Sequence, residues 1–316
     1  MIDVSIVFVS YNTAEMTMKA IDLVKKSIHQ LSVEIFVVDN ASRDNSVVLI
    51  KEAFPDVHLI ENTVNVGFGR ANNQVLPFYK GKYLLLLNTD AFVEPDTIQK
   101  TYEYMQANPL TGILGVKLLG RDGVLQPSCR YFPTPLNIFL VSTGLHKIFN
   151  QVQLVDDMDW SHDEVRSCDW VPGCYYLIRK EVIEEIGLFD PRYFLYYEEV
   201  DHCFATKKAG WQVDYFPNAP VVHIGGESAK TDNKISSVSR QVSALQIESE
   251  LLYFRKNLGL TKTFLHLILT VFTELVLFLK RIIKTPLNFK QIFNFKSLFL
   301  FFKIAYLSRL GMRSLH

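Results

Sequence analysis

Tyr83-Leu84-Leu85-Leu86-Leu87-Asn88-Thr89-Asp90 decides the reading of this chain. Four consecutive leucines between polar residues read as a strand buried on both faces of a sheet. In open α/β sheets, ligands sit outside the carboxyl ends of such strands. Asn88 and Asp90 lie two apart, so both can turn toward one cleft at that end. A carboxylate there suits Mg²⁺ or Mn²⁺, and such a cation neutralises a diphosphate. Alone, an Asn-x-Asp at a strand end is more often a turn or a helix cap. Its surroundings give it weight.

Outward from this strand, residues 4–9, 33–38, 57–60 and 112–118 read as further strands. Residues 14–28, 45–53, 69–79 and 96–107 read as the helices between them. Ser42 or Asp44 can cap the second helix, and Pro95 fits the first turn of the fourth. The alternation predicts a mostly parallel, doubly wound α/β sheet. From 120 to 168 the pattern weakens. Gly120-Arg121-Asp122-Gly123 reads as a hairpin turn, and Pro127, Pro133 and Pro135 break any long helix. A second block follows, with a strand at 173–179, helices at 180–186 and 199–209, short strands at 212–216 and 220–224, and a helix at 236–258.

The first strand ends Ser10-Tyr11-Asn12 and the second ends Asp39-Asn40-Ala41-Ser42. An acid at the end of the second strand also marks dinucleotide sites, but those need a glycine-rich turn after the first strand. Residues 10–15 contain no glycine, and Gly67-Phe68-Gly69 follows the third strand instead. This argues against a dehydrogenase. The absence of a glycine-rich loop with Lys or Arg after strand one argues against P-loop enzymes and nucleotidyltransferases. A nucleotide-sugar site fits.

Residues 4 to about 230 resemble the inverting family-two glycosyltransferases of the GT-A fold, in particular their rhamnosyltransferase-like branch. The matching segments are Val9–Asn12, Val37–Ser46, Asn65–Asn73, Leu87–Asp90, Gly187–Asp190, Phe194–Asp201, Ala209–Trp211 and His223–Ser228. The resemblance implies that Asp39 bonds the nucleobase, with Tyr11 and Asn12 beside it. It implies that Asp44 lies near the nucleoside, and that Gly67, Arg70 and Asn72 lie along the nucleotide sugar. Helix capping is the competing role for Asp44, and a plain turn for the glycines. Asp90 resembles the metal-binding acid of the DXD motif, although Asn88 stands where the first acid is expected. His223 is then the second metal ligand, with diphosphate oxygens supplying the rest. Glu198, Glu199 and Asp201 form an acidic cluster. Direct displacement needs a base for the acceptor hydroxyl, and crowded carboxylates raise one another's pKa. The resemblance places Glu199 at the base, where an Asp is usual. Glu198 and Asp201 are the alternatives, or acceptor contacts, or charges at a helix N-terminus.

The chain has 316 residues, 48% of them apolar, and no net charge. The charge is uneven. Residues 251–316 carry +10 and the first 250 carry −10. Such asymmetry marks an interacting tail. Its phenylalanines and leucines favour an anionic membrane surface over nucleic acid. The run at 264–279 is short for a span of ~20 residues, and Glu274 interrupts it. Basic residues among Phe, Leu and Ile instead describe a helix lying in the interface. The competing reading is a helical subdomain packed on the catalytic domain or on a dimer partner. Four cysteines without a CxxC pair indicate a reducing compartment, and no secretory pattern opens the sequence.

The expected organisation is therefore a catalytic domain at 1–235, with a nucleotide-binding half at 1–118 and an acceptor half at 119–235. A helical membrane-associating region follows at 236–316. The expected activity is transfer of rhamnose from dTDP-rhamnose to a glycan or lipid-linked acceptor, at the inner face of the cell membrane. The alternatives are another donor such as a UDP-hexose, or a scaffold that binds nucleotide sugar without turnover.

Overall fold

The leucine run forms strand β4 (Tyr83–Leu87), and all of its residues are buried. Strand side chains alternate between faces, and the two faces of β4 enter two different cores. Leu85 and Leu87 join Ile6, Phe8 and Ile21 on one side of the sheet. Leu84 and Leu86 join Val7, Phe36 and Tyr176 on the other. Truncating one of these leucines to Ala would cost about 2–5 kcal/mol. The computed structural model describes residues 2–28, 30–149, 151–225, 238–284 and 293–316.

Strands β1 (Val4–Ser10), β2 (Val33–Asp39), β3 (His58–Glu61) and β4 lie parallel in the order β3-β2-β1-β4. Helices α1 (Ala14–Ser27), α2 (Ser46–Ala53) and α3 (Phe68–Asn73) alternate with them. The elements that follow are β5 (Ala91–Val93), α4 (Thr97–Ala107), β6 (Thr111–Leu119), β7 (Leu125–Gln126), α5 (Pro135–Thr143) and β8 (Arg166–Ser167). Then come β9 (Tyr175–Arg179), α6 (Lys180–Ile186), α7 (Glu198–Lys208) and β10 (Gln212–His223). The sheet continues β4-β9-β6-β10-β5 and is mixed in this half. β9 runs antiparallel to β4 with Leu87 opposite Tyr175. The end of β4 therefore lies beside the residues that precede β9.

Three local differences from the sequence expectation have simple causes. α3 stops at Asn73, because Pro77 has no N–H to offer the Asn73 carbonyl. Leu76 N–H bonds that carbonyl instead, at 3.2 Å. Pro135 starts a helix rather than breaking one: it is the first residue of α5, where its missing N–H costs nothing. Thr134 and Asn137 close a capping box around it. The two strands expected at 212–216 and 220–224 are one strand, β10, whose register shifts between Phe216 and Val221 across Pro217 and Pro220.

Beyond β10 come α8 (Val238–Tyr253), a π turn (Phe254–Leu258), α9 (Gly259–Lys284) and α10 (Lys296–Leu307). Leu252, Tyr253 and Phe254 are buried in the core that also holds Leu84 and Leu86. Leu251 packs with Phe301, Ile304 and Ala305 of α10. Gly311, at φ +73°, closes the turn after α10. A β-carbon there would lie 2.1 Å from the Leu251 carbonyl oxygen, so only glycine fits. The segment Gly226–Ser228 and the expected boundary at 235 lie outside the described residues.

Candidate active site

A cleft of about 440 Å³ opens at the ends of β1 and β2, lined by Tyr11, Ser42, Arg43, Asn62 and Asn65 among others. That volume suits a small ligand. Asp39 ends β2 beside this lining and is buried. Its Oδ1 accepts the Ser42 N–H at 2.9 Å, while Oδ2 is buried with no partner among the described residues. A buried carboxylate oxygen left open is costly unless a ligand completes it. Asn12 shapes the rim, its Oδ1 accepting the Arg43 N–H at 2.7 Å. Asp44 is occupied as a cap: Oδ2 accepts the Ala14 N–H at 3.2 Å, and Oδ1 accepts the Ser46 N–H at 3.1 Å. It serves the first turns of α1 and α2, the role set against nucleoside binding above.

Asn40 organises the next loop. Its Nδ2 donates to Asn65 Oδ1 at 2.8 Å, and its Oδ1 accepts the Val66 N–H at 3.0 Å. Gly67, at φ +87°, sits so close to Phe194 that a β-carbon would lie 2.4 Å from its carbonyl oxygen. The glycine thus seats α3 on the segment before α7. Asn72 is buried, donating to the Phe68 carbonyl at 3.0 Å, with its Oδ1 unpartnered among the described residues. Arg70 is taken up by main-chain oxygens, Pro191 at 2.7 Å and His316 at 2.8 Å.

Strand pairing brings Asp90 and His223 together, because β5 and β10 place Ala91 opposite His223. Asp90 Oδ2 accepts the Gly225 N–H at 3.1 Å, and Oδ1 lies 3.6 Å from His223 Nε2. His223 Nδ1 is 2.9 Å from Gln126 Oε1. An amide oxygen only accepts, so the network puts the ring proton on Nδ1 and leaves the Nε2 lone pair facing Asp90. Burial pulls the His223 pKa down, and the charge of Asp90 opposes it. Ligand bonds of about 2.0–2.2 Å let both atoms reach one cation. No group of three His, Cys, Asp or Glu side chains suited to a metal occurs among the described residues. Asn88 donates its N–H to the Cys174 carbonyl at 3.0 Å, and its side chain bonds no described residue.

Glu198 and Glu199 open α7. The chain enters the helix through Tyr196 and Tyr197, both left-handed at φ +71° and +68°. Non-glycine residues rarely adopt this conformation, which costs on the order of 1–3 kcal/mol each. The turn points both glutamates inward, and each has a buried Oε2 with no partner among the described residues. Burial pushes the Glu198 carboxyl well above its ordinary value, and Glu199 beside it adds to the push. Burial raises Glu199 too, but main-chain N–H groups at Glu199, Gly173 and Val200, with the Arg130 charge, pull the other way. Both carboxyls are thus raised, and the stabilising main-chain N–H groups lie mostly on Glu199. Glu199 also lies at Gly173–Cys174, the residues beside Asn88 at the end of β4. Asp201 is different. Lys256 Nζ donates to its Oδ2 at 2.6 Å, and Asn257 Nδ2 and the Tyr193 hydroxyl donate to its Oδ1 at 2.7 and 3.2 Å.

Residues 5–149 match the family model described as Glycosyl transferase family 2. The chain carries a family 2 glycosyltransferase domain. Its relatives include the N-acetylglucosaminyl-diphospho-decaprenol L-rhamnosyltransferase of Mycobacterium tuberculosis, 26% identical over 217 residues, 63% of this chain and 69% of the relative. The rhamnosyltransferase WbbL of Escherichia coli is 28% identical over 167 residues, 50% of this chain and 60% of that protein. Among solved structures, the mannosyltransferase of Pyrobaculum calidifontis with GDP-Man and Mn²⁺ superposes with a TM-score of 0.55 and 17% identity. That superposition covers 97% of this chain and 80% of the other. It carries the GT-A fold across nearly the whole glycosyltransferase chain.

The family match ends before Glu198, Glu199 and His223. The sheet joins them to it, β9 beside β4 and β10 beside β5. Reading the sequence missed the roles of Asn40 and Gln126 and the left-handed backbone at Tyr196 and Tyr197, whose rings alone it offers as sugar-stacking candidates. Asn40 stood in plain view within Asp39–Ser42. Gln126 and the tyrosines left no local signal, since pairing across the sheet and backbone angles give them their roles.

Proposed function

We propose that this glycosyltransferase moves rhamnose from dTDP-rhamnose onto a glycan or lipid-linked acceptor, with inversion at the anomeric carbon. The observation that carries this reading is the convergence of Asn88 and Glu199 on Gly173–Cys174. A buried carboxylate with one open oxygen, Glu199 Oε2, thus lies near the end of the strand that leads to Asp90. The rhamnosyl donor and the lipid diphosphate acceptor are drawn from the named relatives.

Asp39 Oδ2 accepts the imino N–H of the thymine or uracil ring, above the cleft floor formed by Tyr11 and Ser42. Asp90 and His223 would hold a divalent cation, Mg²⁺ or Mn²⁺, which neutralises the donor diphosphate when bound. Asn88 bonds a ribose or sugar hydroxyl. Glu199 takes the acceptor hydroxyl proton as that oxygen attacks the anomeric carbon. The new C–O bond forms on one face while the bond to the diphosphate oxygen breaks on the other, and the nucleoside diphosphate leaves. Glu198, kept neutral by burial, donates a hydrogen bond instead of competing for the proton. Asp201 serves as a structural ion pair, and Asp44 as a helix cap.

The apolar C-terminal rod supports work at the cytoplasmic face of a membrane. Residues Ala244–Lys284 are long and apolar enough to cross a bilayer, and only 11% of the most apolar stretch is buried. Yet α9 keeps Thr263 and His266 buried, and Lys280 binds the Thr143 carbonyl at the end of α5. The opposite face exposes Leu260, Phe264, Ile268, Phe272, Leu275, Leu279 and Ile283. A stripe at this spacing, on a helix docked along its other side, suits an in-plane position with the exposed Lys284 at the headgroups.

The test is transfer from dTDP-rhamnose, beside a panel of UDP-sugars, to a polyprenyl-diphospho-N-acetylglucosamine acceptor with Mn²⁺ or Mg²⁺. Product with inverted configuration is expected. Donor binding without transfer or hydrolysis would leave the scaffold reading.

A further inference from the structure

The segment that carries the acids is held from the C-terminal helices. Ser249 Oγ donates to the Leu195 carbonyl at 2.8 Å, and the Tyr197 hydroxyl donates to Glu250 Oε2 at 3.0 Å. Glu250 Oε1 in turn lies 2.6 Å from His266 Nε2 on α9. Lys256 Nζ bonds Asp201 Oδ2 at 2.6 Å and Asp190 Oδ2 at 2.8 Å, and Asn257 bonds Asp201 Oδ1. Consecutive residues of an ordinary α-helix do not face the same way. Here Lys256 and Asn257 reach the two oxygens of one carboxylate, and they do so within the π turn. Single π turns interrupting helices occur frequently at functional sites.

Asp190 and Asp201 bracket the strained Tyr196–Tyr197 entry. Two left-handed tyrosines persist only where their surroundings over-determine them. Lys256 supplies a large part of that constraint, because one ammonium ties both ends of the segment. The electrostatics agree. Burial pulls the Lys256 ammonium down, but Asp190 and Asp201 outweigh it and hold its pKa above the ordinary value. Burial likewise pushes Asp190 up, and Arg192 and Lys256 together hold it well below the usual carboxylate range.

We propose that Lys256 is a positioning residue for sugar transfer: by holding Asp190 and Asp201 it fixes the left-handed turn that aims Glu199 at the acceptor. This rests on Glu199 being the base. The C-terminal helices then complete the active site as well as supporting it. A misplacement of about 1 Å in a reacting group can cost up to ~10²-fold.

The experiment compares full-length wild type, Lys256→Met, Lys256→Arg and Tyr197→Phe for kcat, donor KM and dTDP binding. Lys256→Met should lower kcat by about 10- to 100-fold with donor KM within about twofold, and Lys256→Arg should recover most of the loss. Tyr197→Phe should lower kcat by a smaller factor, again at constant KM. Unchanged kcat in folded Lys256→Met overturns the proposal. So does a parallel loss of kcat, KM and dTDP binding, which is the mark of general damage. If Lys256→Met does not fold, unchanged kcat in Tyr197→Phe overturns it instead. Glu199→Gln in the same assay separates the two claims. Full turnover there removes the base assignment, whereas a Glu199→Gln loss without a Lys256→Met loss removes only the positioning role.

Discussion

Replacing Asp39 by Asn tests the nucleotide end at one atom. Oδ1 of Asp39 already accepts the Ser42 N–H, and an asparagine Oδ1 can keep that bond. Only the unpartnered Oδ2 changes, from a charged acceptor to an amide donor. Uracil and thymine present an imino N–H at N3, so the variant sets donor against donor. A hydrogen bond to a charged group contributes about 1.5–3 kcal/mol. At about 1.4 kcal/mol per decade, Kd for dTDP or UDP should rise by roughly 10- to 150-fold. Cytosine carries an acceptor at N3, so the loss for CDP should be much smaller, or a gain. Calorimetric titration with dTDP, UDP and CDP measures all three, and a thermal melt confirms the fold. An unchanged Kd for dTDP would refute the assignment. Equal losses for the three nucleotides would also refute it, because they would report a collapsed cleft rather than a base contact.

Glu199→Gln should keep dTDP affinity within about twofold and lower turnover by roughly 10²–10⁴-fold; near-normal turnover would move the base to Glu198. Burial raises the Glu199 pKa, and a base works only when deprotonated. Thus kcat/KM should fall as pH drops through a value above the ordinary carboxylate range, and pH–rate profiles should show that limb vanish in the Gln variant. Glu198 is also raised, so its folded-state contribution is fully present at acid pH and lost as pH rises through the folded value. Melts of Glu198→Gln should therefore gain on wild type as pH increases, and a constant difference across pH would contradict this. Asp90→Ala should weaken donor binding and abolish its response to Mn²⁺, with His223→Ala acting the same way more weakly; transfer by wild type that ignores EDTA would end the metal assignment. Full-length protein should bind anionic vesicles more weakly at high salt and come off in carbonate, since each Lys or Arg near the surface contributes about 1 kcal/mol; resistance to both would indicate a spanning helix.

The parts legible in the sequence were those with local causes. Four leucines between polar residues fit a strand covered on both faces, and β4 is that strand. Asp39 and Asp90 announced themselves as acids at strand ends. His223 lies 133 residues beyond Asp90 in the chain, and no local pattern links them. What joins them is the antiparallel pairing of β10 with β5. Asp44 shows the opposite limit. Its position after β2 fits a nucleoside contact and a helix cap equally, and only its hydrogen bonds to Ala14 and Ser46 display the cap. Asp201 could not be told from its glutamate neighbours by sequence either, because its partners Lys256 and Asn257 sit in a turn far down the chain.

The C-terminal region shows why a composition boundary differs from a mechanical one. Its charge excess and phenylalanines set it apart from the first 250 residues, and a division near 235 follows naturally. Packing nevertheless ties residues beyond it to the earlier core. Leu252, Tyr253 and Phe254 belong to the core under β4, and the His266 ring of α9 sits tilted to Phe254 and edge-on to Phe301, with centroids 4.8 and 5.4 Å away. Removing residues 260–316 would uncover this cluster and leave Glu250 without His266. The π turn would then lose the helix that continues it, and Lys256 would lose its fixed approach to Asp190 and Asp201. If the proposed base and membrane contact hold, this helix links the two, because its docked face meets the π turn that carries Lys256.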